Sequence, residues 1–225
     1  MPLKTMVILA NHFGSRDLSD KYEHLSRKAA RGFQKFWDRQ TNCLSDVIDN
    51  ETKEVGIRPN QIFAVSLDFS MLTGAEQAAV VAKVQERLWT KYGLKSLSSD
   101  DPKYSGEYCG DSSKRNNAYH NGTVWPWLIG PFVTAFTRVR DFTEASRTFA
   151  FESFLQPLFE EQIRQAGLGS ISEIFDGDAP HISRGCISQA WSVAEPLRAY
   201  VEDICLHRGK FERMVLEKAS DNETK

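Results

Sequence analysis

Along residues 17–37 the apolar positions Leu18, Tyr22, Leu25, Ala29, Phe33, Phe36 and Trp37 recur at steps of three and four, with Lys21, Glu23, Arg27, Lys28 and Arg31 between them. That spacing predicts one amphipathic helix with a single apolar stripe. A second is predicted from Thr73, where Thr73 and Glu76 have capping-box spacing, through Val80, Val81, Val84 and Leu88. A third covers residues 143–165; Pro157 inside it predicts a kink or a break, and Gly167 stops it. Between these, residues 3–13, 62–71, 124–139 and 186–204 are apolar or small almost all round, which predicts buried helices. Seven helices therefore alternate between inner and outer roles, the pattern of an all-α, two-layer barrel or toroid. No periodic strand signal competes, and residues 45–48 suit only a short extended piece.

Loop lengths add an orientation. Connections from inner to outer helices are short (residues 14–16, 72–73 and 140–142). Those from outer to inner helices are long (residues 38–60, 92–121 and 166–185). If successive helices run antiparallel, the three long loops emerge at one end, and long loops in a compact domain are usually functional. That end is the expected working face.

Composition narrows the chemistry. At 225 residues, 41% apolar and 26% charged, the chain fits one domain with a real core. A net charge near −2 supplies no basic footprint for nucleic acid or an anionic membrane. The apolar run at residues 6–10 is too short for a signal peptide or a membrane span. Cys43, Cys109, Cys186 and Cys205 are widely spaced with no C-x-x-C pair, so a reducing cytoplasm fits better than a disulfide framework or structural zinc. There is no G-x-S-x-G, no P-loop and no G-x-G-x-x-G after a strand, and His120 and His181 lack an E-x-x-H partner. Neither a metal nor a cofactor is expected.

Two of the long loops carry candidate chemistry. The second ends in AYHNGTVWPW, where Tyr119, His120, Trp125 and Trp127 crowd the entrance to an inner helix. Pro126 suits a first-turn position there, with Thr123 or Asn121 available as cap. The two tryptophans read either as core filler or as a sugar platform, since pyranose rings stack on aromatic faces. The third loop contains GSISEIFDGDAPH, with Glu173, Asp176 and Asp178, and leads into Gln189 and Trp191. Its carboxylates admit a calcium loop, a solvated loop or acid/base chemistry; no twelve-residue calcium frame with a closing glutamate is present. Ile171, Ile174 and Phe175 around Glu173 would desolvate it and raise its pKa. Glu195, inside an apolar helix, calls for a partner such as an arginine.

Several longer stretches carry a resemblance. RPNQIFAVSL (58–67), YGLKSLSSDDPKY (92–104), YHNGTVWPWLIGPF (119–132), GLGSISEIFDGD (167–178) and QAWSVAE (189–195) resemble the amylo-alpha-1,6-glucosidase domain of glycogen debranching enzymes. The resemblance implies an (α/α)6 toroid of twelve helices, related to the glucoamylase-like barrels. It implies inverting hydrolysis of α-1,6-linked glucose at branch points of glycogen, with an acid and a base carboxylate about 6.5–9.5 Å apart. The family's base position matches Glu173. Tyr119, His120, Trp125, Trp127, Gln189 and Trp191 would shape the glucose pocket, and Asp176 and Asp178 would structure the loop or bind sugar hydroxyls. The family's acid lies in a T-W-M-D type motif upstream, which nothing here matches. On this reading residues 1–206 are the C-terminal part of the toroid, about seven of its twelve helices, and residues 207–225 are a polar tail. The chain alone would then be nearly inactive.

Two other readings stay open: a non-catalytic carbohydrate-binding or assembly module that self-associates or completes its barrel with another chain, and a sugar isomerase on the same kind of toroid.

Overall fold

The structure is a computed structural model that describes residues 2–49, 52–54 and 56–209. Of the polar tail expected at residues 207–225, all beyond residue 209 lies outside the described residues.

The chain opens as a helical hairpin, α1 (Pro2–His12) and α2 (Arg16–Phe33), turning at Gly14 with φ +72°. Lys4 reaches across to Glu23 at 3.3 Å. The predicted amphipathic helix is present, but its buried residues are Ser19 and Ser26, one heptad apart, while Leu18 and Leu25 are exposed. Residues 3–13 form a helix but not a buried one: only Ala10 is buried, and Met6, Leu9 and Phe13 (78%) are exposed. The cause is local, since among the described residues α1 packs chiefly on α2.

Two small antiparallel hairpins follow, β1 (Trp37–Asp38) with β2 (Cys43–Leu44), and β3 (Val47–Asp49) with β4 (Thr52–Glu54). A 3-10 turn (Pro59–Ile62) then leads into α3 (Phe63–Ser66). The inner helix expected at 62–71 ends early because Arg138 caps it. Its guanidinium donates to the carbonyls of Val65 (3.0 Å) and Leu67 (2.8 Å) and pairs with Asp68 at 2.8 Å. α4 (Gly74–Arg87) starts at the predicted capping box: the Glu76 N–H donates to Thr73 Oγ1 at 3.3 Å, and the Thr73 N–H donates to Glu76 Oε2 at 2.8 Å.

The absence of strands expected from the sequence is corrected by a five-stranded antiparallel sheet, so the fold is mostly helical rather than all-α. Its strands pair in chain order: β5 (Trp89–Thr90), β6 (Gly93–Lys95), β7 (Val124–Trp125), β8 (Ile174–Phe175) and β9 (Ser183–Arg184). The register sets Leu94 against Trp125, Val124 against Phe175 and Ile174 against Arg184. At two or three residues each, these strands are too short to show alternation. β6, β8 and β9 all lie within the long loops, so those loops are stitched together rather than structureless.

Within the second long loop, α5 (Ser112–Asn121) is capped by Asp111, which accepts from the Lys114 N–H at 2.9 Å. The entrance to the next inner helix differs from expectation: Trp125 is the cap residue of a short 3-10 turn, and no side chain caps it. Thr123 instead donates to the Tyr119 carbonyl, and Asn121 accepts from Arg58. α6 (Ile129–Arg138) is buried at every residue but the last.

α7 (Glu144–Ala150) runs through a π turn (Phe151–Leu155) into α8 (Gln156–Glu160). This is the break foreseen at Pro157, which has no N–H to close an α turn. α9 (Ala190–Ala199) ends the described fold with a second π turn (Tyr200–Ile204); it is not buried all round, since Trp191, Leu197 and Tyr200 are exposed. Glu195 on α9 has the arginine it called for, Arg198, at 3.0 Å.

α6 packs most extensively on α9 and α3, and also touches α7 and α4. The Cα of Gly130 lets α9 approach, since a Cβ there would stand 2.8 Å from the Glu195 carbonyl oxygen. Phe154 meets Phe132 and Phe136 edge to face at 4.9 and 5.0 Å in the core. Each such ring removed from water contributes about 1.5–3 kcal/mol.

Candidate active site

Glu173 immediately precedes β8 and is fastened by Cys186, two residues past that strand's partner β9. Its N–H donates to the Cys186 carbonyl at 2.9 Å, and the Cys186 N–H returns to Glu173 Oε2 at 2.8 Å. The other oxygen, Oε1, accepts the Tyr119 hydroxyl at 2.6 Å. Ile171, Ile174 and Phe175 are buried around it. Their desolvation alone would push the carboxyl up, as the sequence suggested. The hydrogen bonds from Tyr119 and from the Cys186 N–H and thiol together outweigh it and hold Glu173 below the usual carboxylate range. The expected upward shift is therefore corrected: Glu173 is set up to be ionised. Burial and the adjacent carboxylate push the Tyr119 hydroxyl well up, which keeps it a donor.

This arrangement makes a test. Tyr119→Phe removes one donor from Glu173, so the carboxyl titrates at higher pH, readable by carbon-13 NMR of the side chain. Because the folded pKa is depressed, the stabilisation is present above the unfolded carboxylate value, about 4.3. It is lost as pH falls through the lower folded value. The variant should lose about 1–2 kcal/mol at neutral pH and less in acid; an unmoved titration midpoint would defeat the assignment.

The aromatic residues converge. Trp125 meets Tyr119 edge-on at 4.7 Å and Trp191 at 6.0 Å. Trp191, 43% exposed, stacks on Trp127 at 5.1 Å and 17°, and Trp127 stacks in turn on Phe63 at 5.8 Å. Trp191 is thus the exposed ring of a stack rooted in the inner helices. His120 is exposed, with its ring against Tyr119 at 5.1 Å. Gln189 accepts from the Ala190 N–H at 3.1 Å, at the start of α9, and its own N–H holds Ile171.

The two aspartates part company with Glu173. Asp176 is only 4% exposed and is taken up by Arg184 (2.9 Å) and by the Tyr108 N–H (2.8 Å), so it binds loop to loop inside the scaffold rather than facing a ligand. Asp178 is exposed and accepts the Tyr104 hydroxyl at 3.0 Å.

Two residues escaped sequence reasoning. Gly185 has φ +66°, and a Cβ there would lie 2.5 Å from Glu173 Oε2, so only glycine lets the chain pass the carboxylate. A glycine directly after β9, where the third long loop ends, is a signal that could have been read. Arg58 laces the first long loop to the second, donating to the carbonyls of His120 (2.7 Å) and Ser96 (3.1 Å) and to Asn121 Oδ1 (2.8 Å). It opens the RPNQ stretch, where its role had no local sign.

A mostly helical domain whose long loops hold an oriented carboxylate beside a cluster of aromatic rings has the make-up of a helical glycosidase domain. The family model for amylo-alpha-1,6-glucosidase matches residues 2–198, and the chain belongs to that family. A solved structure described as a sialidase is similar with a TM-score of 0.66 and 12% identity, over 88% of this chain and 18% of that one. That likeness is one of fold, and the chain spans 18% of the sialidase chain's length. Among the described residues no helix is long and apolar enough to cross a membrane.

Proposed function

We propose that Glu173 is the general base of an inverting glycosidase that hydrolyses α-1,6-linked glucose at the branch points of glycogen-like glucans. The observation that carries this is the double hold on its carboxylate by Tyr119 and Cys186, with Tyr119 edge-on to Trp125 and Trp125 in turn to Trp191. An ionised, oriented carboxylate suits the activation of water, and an exposed tryptophan suits the apolar face of a glucose. His120 packs on Tyr119, Gln189 is held to Ile171 two residues before Glu173, and Asp178 lies on the same loop as Glu173. On this reading the helices are part of an (α/α)6 toroid.

Inversion also needs an acid. The resemblance puts the family's acid in an upstream T-W-M-D type motif that nothing in this sequence matches, and on this reading the chain by itself binds glucan without turning it over. Calorimetric titration with a branched maltooligosaccharide tests the platform. Trp191→Ala should weaken binding about tenfold or more, at the 1–3 kcal/mol scale of an aromatic contact. Binding that survives that substitution unchanged would remove Trp191 from the site.

A second reading is favoured by a separate observation, the uncovered apolar side chains Met6, Leu9, Phe13, Leu18, Leu25 and Leu197 on α1, α2 and α9. They suit a surface that closes against further protein, making this a carbohydrate-binding or assembly unit. Light scattering separates the two: a strict monomer across a hundredfold concentration range speaks against assembly.

A further inference from the structure

The second long loop crosses the third at residues 104–108, and the crossing is held at every second residue. The Tyr104 hydroxyl donates to Asp178 at 3.0 Å, the Gly177 N–H donates to the Gly106 carbonyl at 2.6 Å, and the Tyr108 N–H donates to Asp176 Oδ1 at 2.8 Å. Arg184 donates to the other oxygen of Asp176 at 2.9 Å, so the acceptor that fixes Tyr108 is itself fixed. A buried carboxylate held on both oxygens thus seats a tyrosine that is only half-buried.

Tyr108 comes to rest against the Glu173 site. Its ring lies 6.1 Å from that of Tyr119, inclined at 49°, and the Tyr119 hydroxyl donates to Glu173 at 2.6 Å. Burial and Glu173 do most to push the Tyr119 hydroxyl up, and the Tyr108 phenol adds to them, which sets that phenol near the Glu173 end of Tyr119. Trp125 meets the same Tyr119 ring edge-on at 4.7 Å, so a tryptophan and a second tyrosine both lie against it beside the carboxylate.

Among the described residues the Tyr108 hydroxyl makes no hydrogen bond, and its oxygen is accessible rather than buried. It is open to a ligand as both donor and acceptor. A ring whose backbone is already fixed loses little freedom when a ligand arrives, which makes a seated tyrosine an effective contact. We infer that Tyr108 is a further sugar-contacting residue, whose ring packs on the glucose at Glu173 and whose hydroxyl bonds to it. This rests on the glucan reading given above.

The test is calorimetric titration of the full 225-residue chain with 6-O-α-glucosyl-maltotriose, beside NMR of the same chain carrying ring-labelled tyrosine. Tyr108→Ala should weaken binding about fivefold to tenfold, and Tyr108→Phe, which keeps the ring, about twofold to threefold. In the complex the Tyr108 ring protons, identified by their loss in Tyr108→Phe, should show NOEs to glucose ring protons. Affinity in Tyr108→Ala within about twofold of the parent overturns the assignment and leaves the glucan reading standing. Affinity lost without those NOEs overturns it too, since the ring would then act only by shaping the loop. A parent chain that binds no tetrasaccharide overturns the glucan reading, and this inference falls with it.

Discussion

Glu173→Gln, made in this chain joined to the acid-bearing part of its catalytic domain, should lower turnover of α-1,6-branched glucan by about 10³-fold, within the range of a lost general base. Glucan affinity should stay within about threefold. The geometry explains why the loss falls on turnover. Both carboxylate oxygens accept hydrogen bonds, from Tyr119 and from the Cys186 N–H. A glutamine offers one acceptor oxygen and turns its NH2 toward the other donor, so it keeps the volume but neither the charge nor the full set of bonds. The aromatic rings that would hold the sugar are not disturbed. Steady-state kinetics beside calorimetry separates the two quantities. Turnover within tenfold of the parent would move the base role away from Glu173. Asp176 could not inherit it without giving up Arg184.

The largest effect on stability should come from Gly122. It ends α5, the helix that carries Tyr119, and a Cβ there would fall 2.1 Å from the Ser105 carbonyl oxygen. That neighbour is backbone and cannot swing aside. The Gly122 N–H donates to Ser96 Oγ at 2.8 Å and to the Ala118 carbonyl, and Gly177, two residues after β8, passes so close that a Cβ on it would meet the Gly122 carbonyl. Gly122→Ala should cost about 2–3 kcal/mol, as overpacking does, and lower Tm by about 5–10 °C. A melt within about 1 °C of the parent would show that the contact relaxes freely. Because the strain falls between α5 and the Glu173 loop, the Tyr119–Glu173 bond should loosen as well.

How legible this was depends on the reach of each interaction. The capping box at Thr73 and Glu76 spans three residues and was readable from letters alone. So was α6, whose apolar run is long enough to be buried on every side. The gathering of long loops was readable from their lengths, but not their sheet, whose strands are shorter than one period of any pattern. α1 and α9 were misread for a different reason. An apolar sequence states what a helix would bury, and burial itself needs a neighbour, which Phe13 and Leu197 do not find among the described residues. The split between Glu173 and Asp176 was hidden in distance. One is decided by Tyr119, 54 residues away, the other by an arginine eight residues on, and apolar neighbours in sequence gave the wrong direction for the Glu173 pKa.

The pairing of β7 with β8 bears on how such a chain can vary. Val124 faces Phe175 as a single matched pair, with Trp125 on one side of that crossing and Glu173 two residues before it on the other. Insertions between residues 96 and 111, or between 176 and 182, would lengthen the rim and leave that crossing alone. One residue gained between Glu173 and Phe175 would turn the carboxylate to the opposite side of the sheet, away from Tyr119. The rim is thus free to vary in length, while the Glu173 carboxylate is held in place by a strand only two residues long.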